Sequence, residues 1–183
     1  CKTGSAVNVN LTGTSGGAFR SSPAGLNINN PSGQITPSSS TAGAYTVSYT
    51  IAPSGGCSGI TATTSVTITN NPTASISYTG SPFCKTGSAV NVNLVGTSGG
   101  AFSSSPAGLS INNTSGQITP SSSTAGTYTV SYTIAPSGGC SGITATTSVT
   151  ITNNPTASIA YTGSPFCKTG SAVNVNLVGT SGG

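Results

Sequence analysis

Five cysteines, Cys1, Cys57, Cys84, Cys140 and Cys167, are the residues of this chain best suited to chemistry. Thiols bind soft metals or form disulfides, and their company decides which. The chain has no Asp, Glu or His, and no two cysteines stand at a C-x-x-C spacing, so the ligand cluster of a zinc site is missing. Calcium and magnesium sites are built from carboxylates, which are absent too. A disulfide in an oxidising extracellular setting is the expected use. Hydrolytic catalysis needs a base that titrates near the working pH. The only ionic side chains are Lys2, Arg20, Lys85 and Lys168, so every serine lacks the base and orienting acid that make a nucleophile. Lys85 has Asn neighbours in sequence but no acid to promote a Lys–Asn crosslink. The S-G-G stretches lack the lysine of a phosphate-binding loop and are turns. The sequence therefore predicts no catalytic residue, no cofactor, no metal and no enzyme.

The cysteines repeat because everything around them does. Residues 1–83 return as 84–166 with six changes, Thr12/Val95, Arg20/Ser103, Asn27/Ser110, Pro31/Thr114, Ala44/Thr127 and Ser77/Ala160. Residues 167–183 begin a third copy. Such self-similarity overrides length as a guide to architecture. Four cations spread over 183 residues form no patch of the kind that displaces counterions from nucleic acid. Ser, Thr or Asn interrupts every apolar stretch well short of the ~20 residues of a membrane helix. Gly, Pro and Ser supply 70 residues, a composition that flags low complexity. The apolar residues nevertheless keep a strict period of two, which disordered composition does not carry.

That period places the elements. In 73–79, Ala74, Ile76 and Tyr78 share one face; in 89–95, Val90, Val92 and Leu94 do. Over 127–135 the inward set is Tyr128, Val130, Tyr132 and Ile134, and over 143–152 it is Ile143, Ala145, Thr147, Val149 and Ile151. These are half-buried strands made of residues that suit a pleated surface. Shorter strands are expected at 100–105, 109–111 and 117–119, separated by turn residues. Seven strands in 83 residues predict an all-β fold of tandem immunoglobulin-like β-sandwiches forming a linear array. The tyrosines lie on the inward phase and belong to the core. "TNNP" marks the boundaries, giving 1–71 as a repeat without its first strand, 72–154 as a complete repeat, and 155–183 as the first strands of a third. A cut through a continuous array explains this phasing with less than strand exchange between chains does.

The stretch "PAGLSINNTSGQITPSSSTAGTYTVSYTI" and the frame "SPFC … GGC … VTIT" resemble the Ig-like repeats of very large secreted adhesins and surface filaments of Bacteroidetes-type bacteria. The resemblance spans the whole repeat and implies a stalk or filament module at the cell surface. Many related repeats are stiffened by calcium; a chain without carboxylates departs from them there.

Two disulfide registers satisfy the cysteine count. Pairing within repeats joins Cys1 to Cys57 and Cys84 to Cys140; pairing between repeats joins Cys57 to Cys84 and Cys140 to Cys167. In a head-to-tail array the latter pairs are expected at far ends of neighbouring modules, beyond the ~7 Å between bridged Cα atoms. The within-repeat register is therefore expected, with "GSPFCKTG" running along the sandwich edge to bring Cys84 to the start of the last strand. Ser and Thr make up 64 residues and fill the outward phase of the long strands. A surface without charge lacks the repulsion that keeps proteins apart, so O-linked sugars are expected on outward hydroxyls. Candidates are Thr46, Ser48, Thr50, Thr61, Thr63 and Thr67, with Thr129, Ser131, Thr133, Thr144, Thr146 and Thr150. The N-linked patterns at Asn10 and Asn112 do not recur in register and look incidental. The expected function is a structural module of a stiff extracellular fibril or adhesin stalk. The alternative is an adhesive module for surface glycans or, with less in its favour, ice. Expected partners are neighbouring repeats of the same chain, parallel fibres and covalent glycans, with no nucleic acid and no membrane insertion.

Overall fold

The structure, a computed structural model, describes residues Cys1–Gly179. Eleven strands follow one another: β1 (Ala18–Ser22), β2 (Gly43–Ile51), β3 (Ile60–Ile68), β4 (Ala74–Ser77), β5 (Phe83–Cys84), β6 (Asn93–Gly96), β7 (Ala101–Ser105), β8 (Gly126–Ile134), β9 (Ile143–Thr152), β10 (Ala157–Ala160) and β11 (Asn176–Gly179). Apart from two single 3₁₀ turns, Pro37–Ser39 and Pro120–Ser122, the described residues hold no helix. The protein is all-β, its open sheets packed in the manner of a β-sandwich. Two compact units divide the chain. One is Cys1–Ile76 with Leu94–Ala101 and Ser131–Thr146; the other is Ser77–Asn93 with Phe102–Val130 and the residues from Thr147 on.

The first unit is built on the sheet β1-β2-β3. β2 pairs antiparallel with β3 from Gly43↔Ile68 to Ile51↔Ile60, and with β1 from Ala18↔Thr50 to Ser22↔Thr46. Alternation decides what each face buries. Tyr45, Val47 and Tyr49 point inward and join Phe19, Leu26 and Ile68 in a buried cluster, with Ile28, Ile35, Ile51 and Val66 packed against it. The cover over this face is thin: Val7 and Ile28 each bridge Ile35, so the expected short strands shrink to single bridges. Two tyrosines tie loops to the sheet. Tyr49 Oη accepts from the Gly17 N–H at 2.7 Å and donates to the Thr14 carbonyl at 3.1 Å; Tyr45 donates to the Thr41 carbonyl at 2.7 Å. The 3₁₀ turn buries Ser40, whose hydroxyl donates to the Thr36 carbonyl and accepts from the Asn27 N–H, both at 2.9 Å. A buried hydroxyl with both functions satisfied costs little.

In the second unit Phe102, Leu109, Ile118, Tyr128, Val130, Val149 and Ile151 are buried, the last four being residues that the period of two places inward. Val90 and Ile111 flank Ile118 through the same pair of bridges. Tyr78 is buried beneath them and donates to the Gly116 carbonyl. The strand order is β5-β9-β8-β7, and β4 pairs with β6 in a separate two-stranded sheet, as β10 does with β11. β5 is absent from the expected strand map. It is only two residues long, too short to show a period, and it runs parallel to the end of β9 with Phe83↔Ile151 and Cys84↔Thr152.

Candidate functional site

The feature that sets this chain apart from a plain β-sandwich is where its cysteines go. Cys1 is bonded to Cys140, with Cα atoms 4.9 Å apart across a separation of 139 residues. Cys57, Cys84 and Cys167 are free thiols. The expected Cys1–Cys57 and Cys84–Cys140 bonds are thus corrected: the first cysteine of one copy is joined to the second cysteine of the next. Strand direction is the reason. Lys2 N–H donates to the Thr69 carbonyl at 3.0 Å, which holds Cys1 beside the C-terminal end of β3. Cys57 lies ahead of the N-terminal end of that strand, and nine residues between them span ~30 Å at about 3.3 Å per residue. The edge segment does run along the sandwich, but to the far end of the last strand. No within-copy bond reaches across that length.

Cys140 arrives on a tight hairpin. Ser137 and Cys140 exchange backbone hydrogen bonds of 3.2 and 2.9 Å around Gly138 and Gly139, whose φ values are 58° and 74°. A two-residue loop with both φ values positive is the type I′ turn, which glycine pairs enter at low cost. "SGGC" is therefore a device that projects a thiol from a hairpin tip. Around the bond, the Asn71 side-chain amide lies 2.6 Å from Cys1 Sγ, and Thr3 Oγ1 donates to the same sulfur at 3.7 Å. Thr69 Oγ1 is 3.2 Å from Cys140 Sγ, and the Asn70 carbonyl is 3.4 Å from it. Beside the bond an open groove of about 390 Å³ is lined by Asn70, Asn71, Pro72, Thr97, Ile134 and Cys140. Amides and hydroxyls line it together with the apolar side chains of Pro72, Ile134 and Ala135.

Cys84 occupies the position of Cys1 in the second copy. Lys85 N–H donates to the Thr152 carbonyl at 3.0 Å, the thiol donates to Asn154 Oδ1 at 2.7 Å, and Thr86 Oγ1 is 3.3 Å away. The hydrogen bond with the Thr86 side chain, then that with the Thr86 backbone, lowers the Cys84 thiol pKa from its ordinary value. Thr169 acts in the same way on Cys167. Cys57 sits, exposed, in its own S-G-G-C turn, with Ser54–Cys57 bonds of 3.3 and 3.0 Å.

The twelve hydroxyl positions singled out for sugars all lie on the long strands β2, β3, β8 and β9. Thr46, Thr50, Thr61, Thr63, Thr67, Thr129, Thr133, Thr144 and Thr146 are exposed, whereas Ser48, Ser131 and Thr150 are half-buried. Several meet across the ladder: Thr50 with Thr61 and Thr133 with Thr144 at 3.1 Å, and Thr127 with Thr150 at 3.2 Å. On β1-β2-β3 the row Arg20, Ser48, Thr63 runs across three strands. The outward face is a sheet of hydroxyls with a single cation.

No protein-family profile and no curated protein matches the sequence. Among solved structures the chain is similar to a SusE-like surface-located polysaccharide-binding protein of the Bacteroides thetaiotaomicron heparin utilisation locus, at 14% identity and a TM-score of 0.34. The match covers 86% of this chain and 34% of that one, so the chain spans about a third of its neighbour's length. A likeness of that size carries no argument about function. No helix among the described residues is long and apolar enough to cross a membrane.

Proposed function

We propose that the chain is a structural module of an extracellular, surface-borne array in which successive 83-residue copies are fastened to one another by disulfides. One observation carries this reading: the Cys1–Cys140 bond joins equivalent places of two different copies rather than closing one of them. A bond inside a copy would stabilise that copy alone. A bond from the end of one last strand to the hairpin of the next copy instead resists pulling the copies apart. A persistent disulfide fits an oxidising compartment, and a surface with four cations and no acids suits outward O-linked sugars at the threonines and serines named above.

The test is mechanical. Stretched between its termini, the oxidised chain is expected to keep the residues between Cys1 and Cys140 locked. Reductant should then release an added contour length of roughly 45–50 nm, at up to ~3.6 Å per extended residue. Full extension without reductant would refute the fastening. The second reading is a glycan-binding module. It predicts that the chain binds polysaccharides on an array and that one copy suffices, whereas a stalk depends on copy number.

A further inference from the structure

A sheet that does not close on itself ends in border strands, whose outer N–H and C=O groups need a partner or a guard. In the order β5-β9-β8-β7 the two borders differ. On one side β7 is covered: the Phe102 N–H donates to the Asn113 carbonyl at 2.7 Å, and Pro106 follows the strand directly. On the other side β5 meets β9 at Phe83↔Ile151 and Cys84↔Thr152, the far end of the strand. Next to that pairing the Thr150 N–H donates to Ser81 Oγ at 3.1 Å, and the Thr152 carbonyl accepts from the Lys85 N–H at 3.0 Å. These two groups fix the phase of the strand. Alternate residues of an antiparallel ladder turn both backbone groups to the same side. Thr144, Thr146 and Ser148 therefore aim theirs away from β8, and all three are exposed. Among the described residues no strand lies beside them there.

This edge is a property of the repeat. The copy that holds β9 also holds its own leading segment, residues 72–84, which covers the last residues of the strand and no more. Where a following copy is present, its hairpin meets Thr69 and Asn70, past the end of the equivalent strand β3. The usual guards of an edge are Lys, Pro and bulges, and "ITATTSVTIT" has no Lys and no Pro. It is a strand of high β propensity without charge, the kind that pairs with another chain.

We infer that β9 of one molecule pairs antiparallel with β9 of a second copy of this chain, with Thr146 facing Thr146 across a two-fold axis. Thr144 then opposes Ser148 of the partner, and each opposed pair exchanges two hydrogen bonds. An edge of alternating donors and acceptors is complementary to its own antiparallel copy, and an uncharged one meets no repulsion from it. The same patch on both molecules makes the contact close as a dimer. The pairing is independent of the disulfides that fasten copies along one chain, and it joins neighbouring chains side by side. A sugar on Thr146 would stand against its counterpart across the axis, so the pairing belongs to the bare strand.

The experiment uses the full chain without sugars, its free thiols blocked with iodoacetamide so that no disulfide joins two molecules. Sedimentation at rising concentration should show a species of twice the 17.5 kDa chain. T146P removes the central outward N–H without touching a bond to β8 and should abolish the dimer. T146K sets like charges directly opposite each other and should weaken dimerisation roughly tenfold. T146E should do the same, and mixing the two variants should restore the dimer. T63K, the matching change on β3, should leave it intact, and circular dichroism should show every variant folded. A chain that stays monomeric, a dimer that survives T146P and T146K, a mixture that stays apart, or loss of the dimer in T63K would each overturn the inference. Growth beyond the dimer would overturn its two-fold closure.

Discussion

Tyr132 shows at the residue scale how much depends on single groups. Its hydroxyl accepts from the Gly100 N–H at 2.8 Å and donates to the Thr97 carbonyl at 3.0 Å, so the loop before β7 is closed by one phenol. Gly100 must be glycine, because a Cβ there would lie 2.6 Å from the Thr133 carbonyl and 2.7 Å from the Tyr132 ring. Gly100→Ala is expected to cost about 3 kcal/mol of unfolding free energy through overpacking. Its neighbour Gly99, at φ 91° with open space around it, should cost only the ~1 kcal/mol of left-handed strain; chemical denaturation of the two variants checks the contrast. Tyr78 supplies a pH prediction. Burial pushes its phenol up to about 12, above the ~10 of an exposed tyrosine. The folded state thus holds a proton that the unfolded state releases. Stability tied to this group is complete below pH ~10 and is lost as pH rises toward 12. Ultraviolet titration should show a late-ionising tyrosine, and Tyr78→Phe should remove that late step.

At the scale of elements, β4 and β10 carry nearly the same letters, ASIS and ASIA, yet they are placed differently. Ile76 of β4 is 6% exposed and Ile159 of β10 is 67% exposed. Ile76→Ala should cost about 3 kcal/mol, within the range for emptying a core site. Ile159→Ala should change stability by less than about 0.5 kcal/mol, as for an ordinary surface site. Thermal denaturation of the two variants decides. The strand phases themselves were legible from sequence: Tyr128, Val130, Val149 and Ile151 are buried where alternation put them. The pieces at 109–111 and 117–119 were legible as extended but not as single bridges, because a ladder needs a partner that local sequence does not name. β5 was invisible for the same reason, since a parallel pairing is fixed by the strand it meets.

For the whole molecule, an outward face of hydroxyls with almost no charge is the property that most needs explaining. The ladder contacts Thr50–Thr61 and Thr133–Thr144 satisfy hydroxyls against each other without repelling a neighbouring molecule. A proposed coat of O-linked sugar on these strands supplies hydration and bulk where charge does not. Intact mass of the native material should exceed the bare 17.5 kDa polypeptide with heterogeneous additions on Ser and Thr peptides. A mass equal to the bare chain would remove the coat from the picture.

The sequence by itself determined which face of β2, β8 and β9 is buried, because a period of two in Val, Ile and Tyr leaves one solution once water is excluded from one side. It also singled out the five cysteines, in a chain without Asp, Glu or His, as the residues whose pairing had to be found. Only the tertiary structure decided which thiols meet. That depended on β5 lying parallel to β9 and on Lys2 and Lys85 binding the ends of the last strands. Such pairing across distant segments sets a cysteine at one end of a ~30 Å strand or the other. A disulfide has a reach of a few ångströms, so strand direction, which no local spacing encodes, chose the bond between copies over the bond within one.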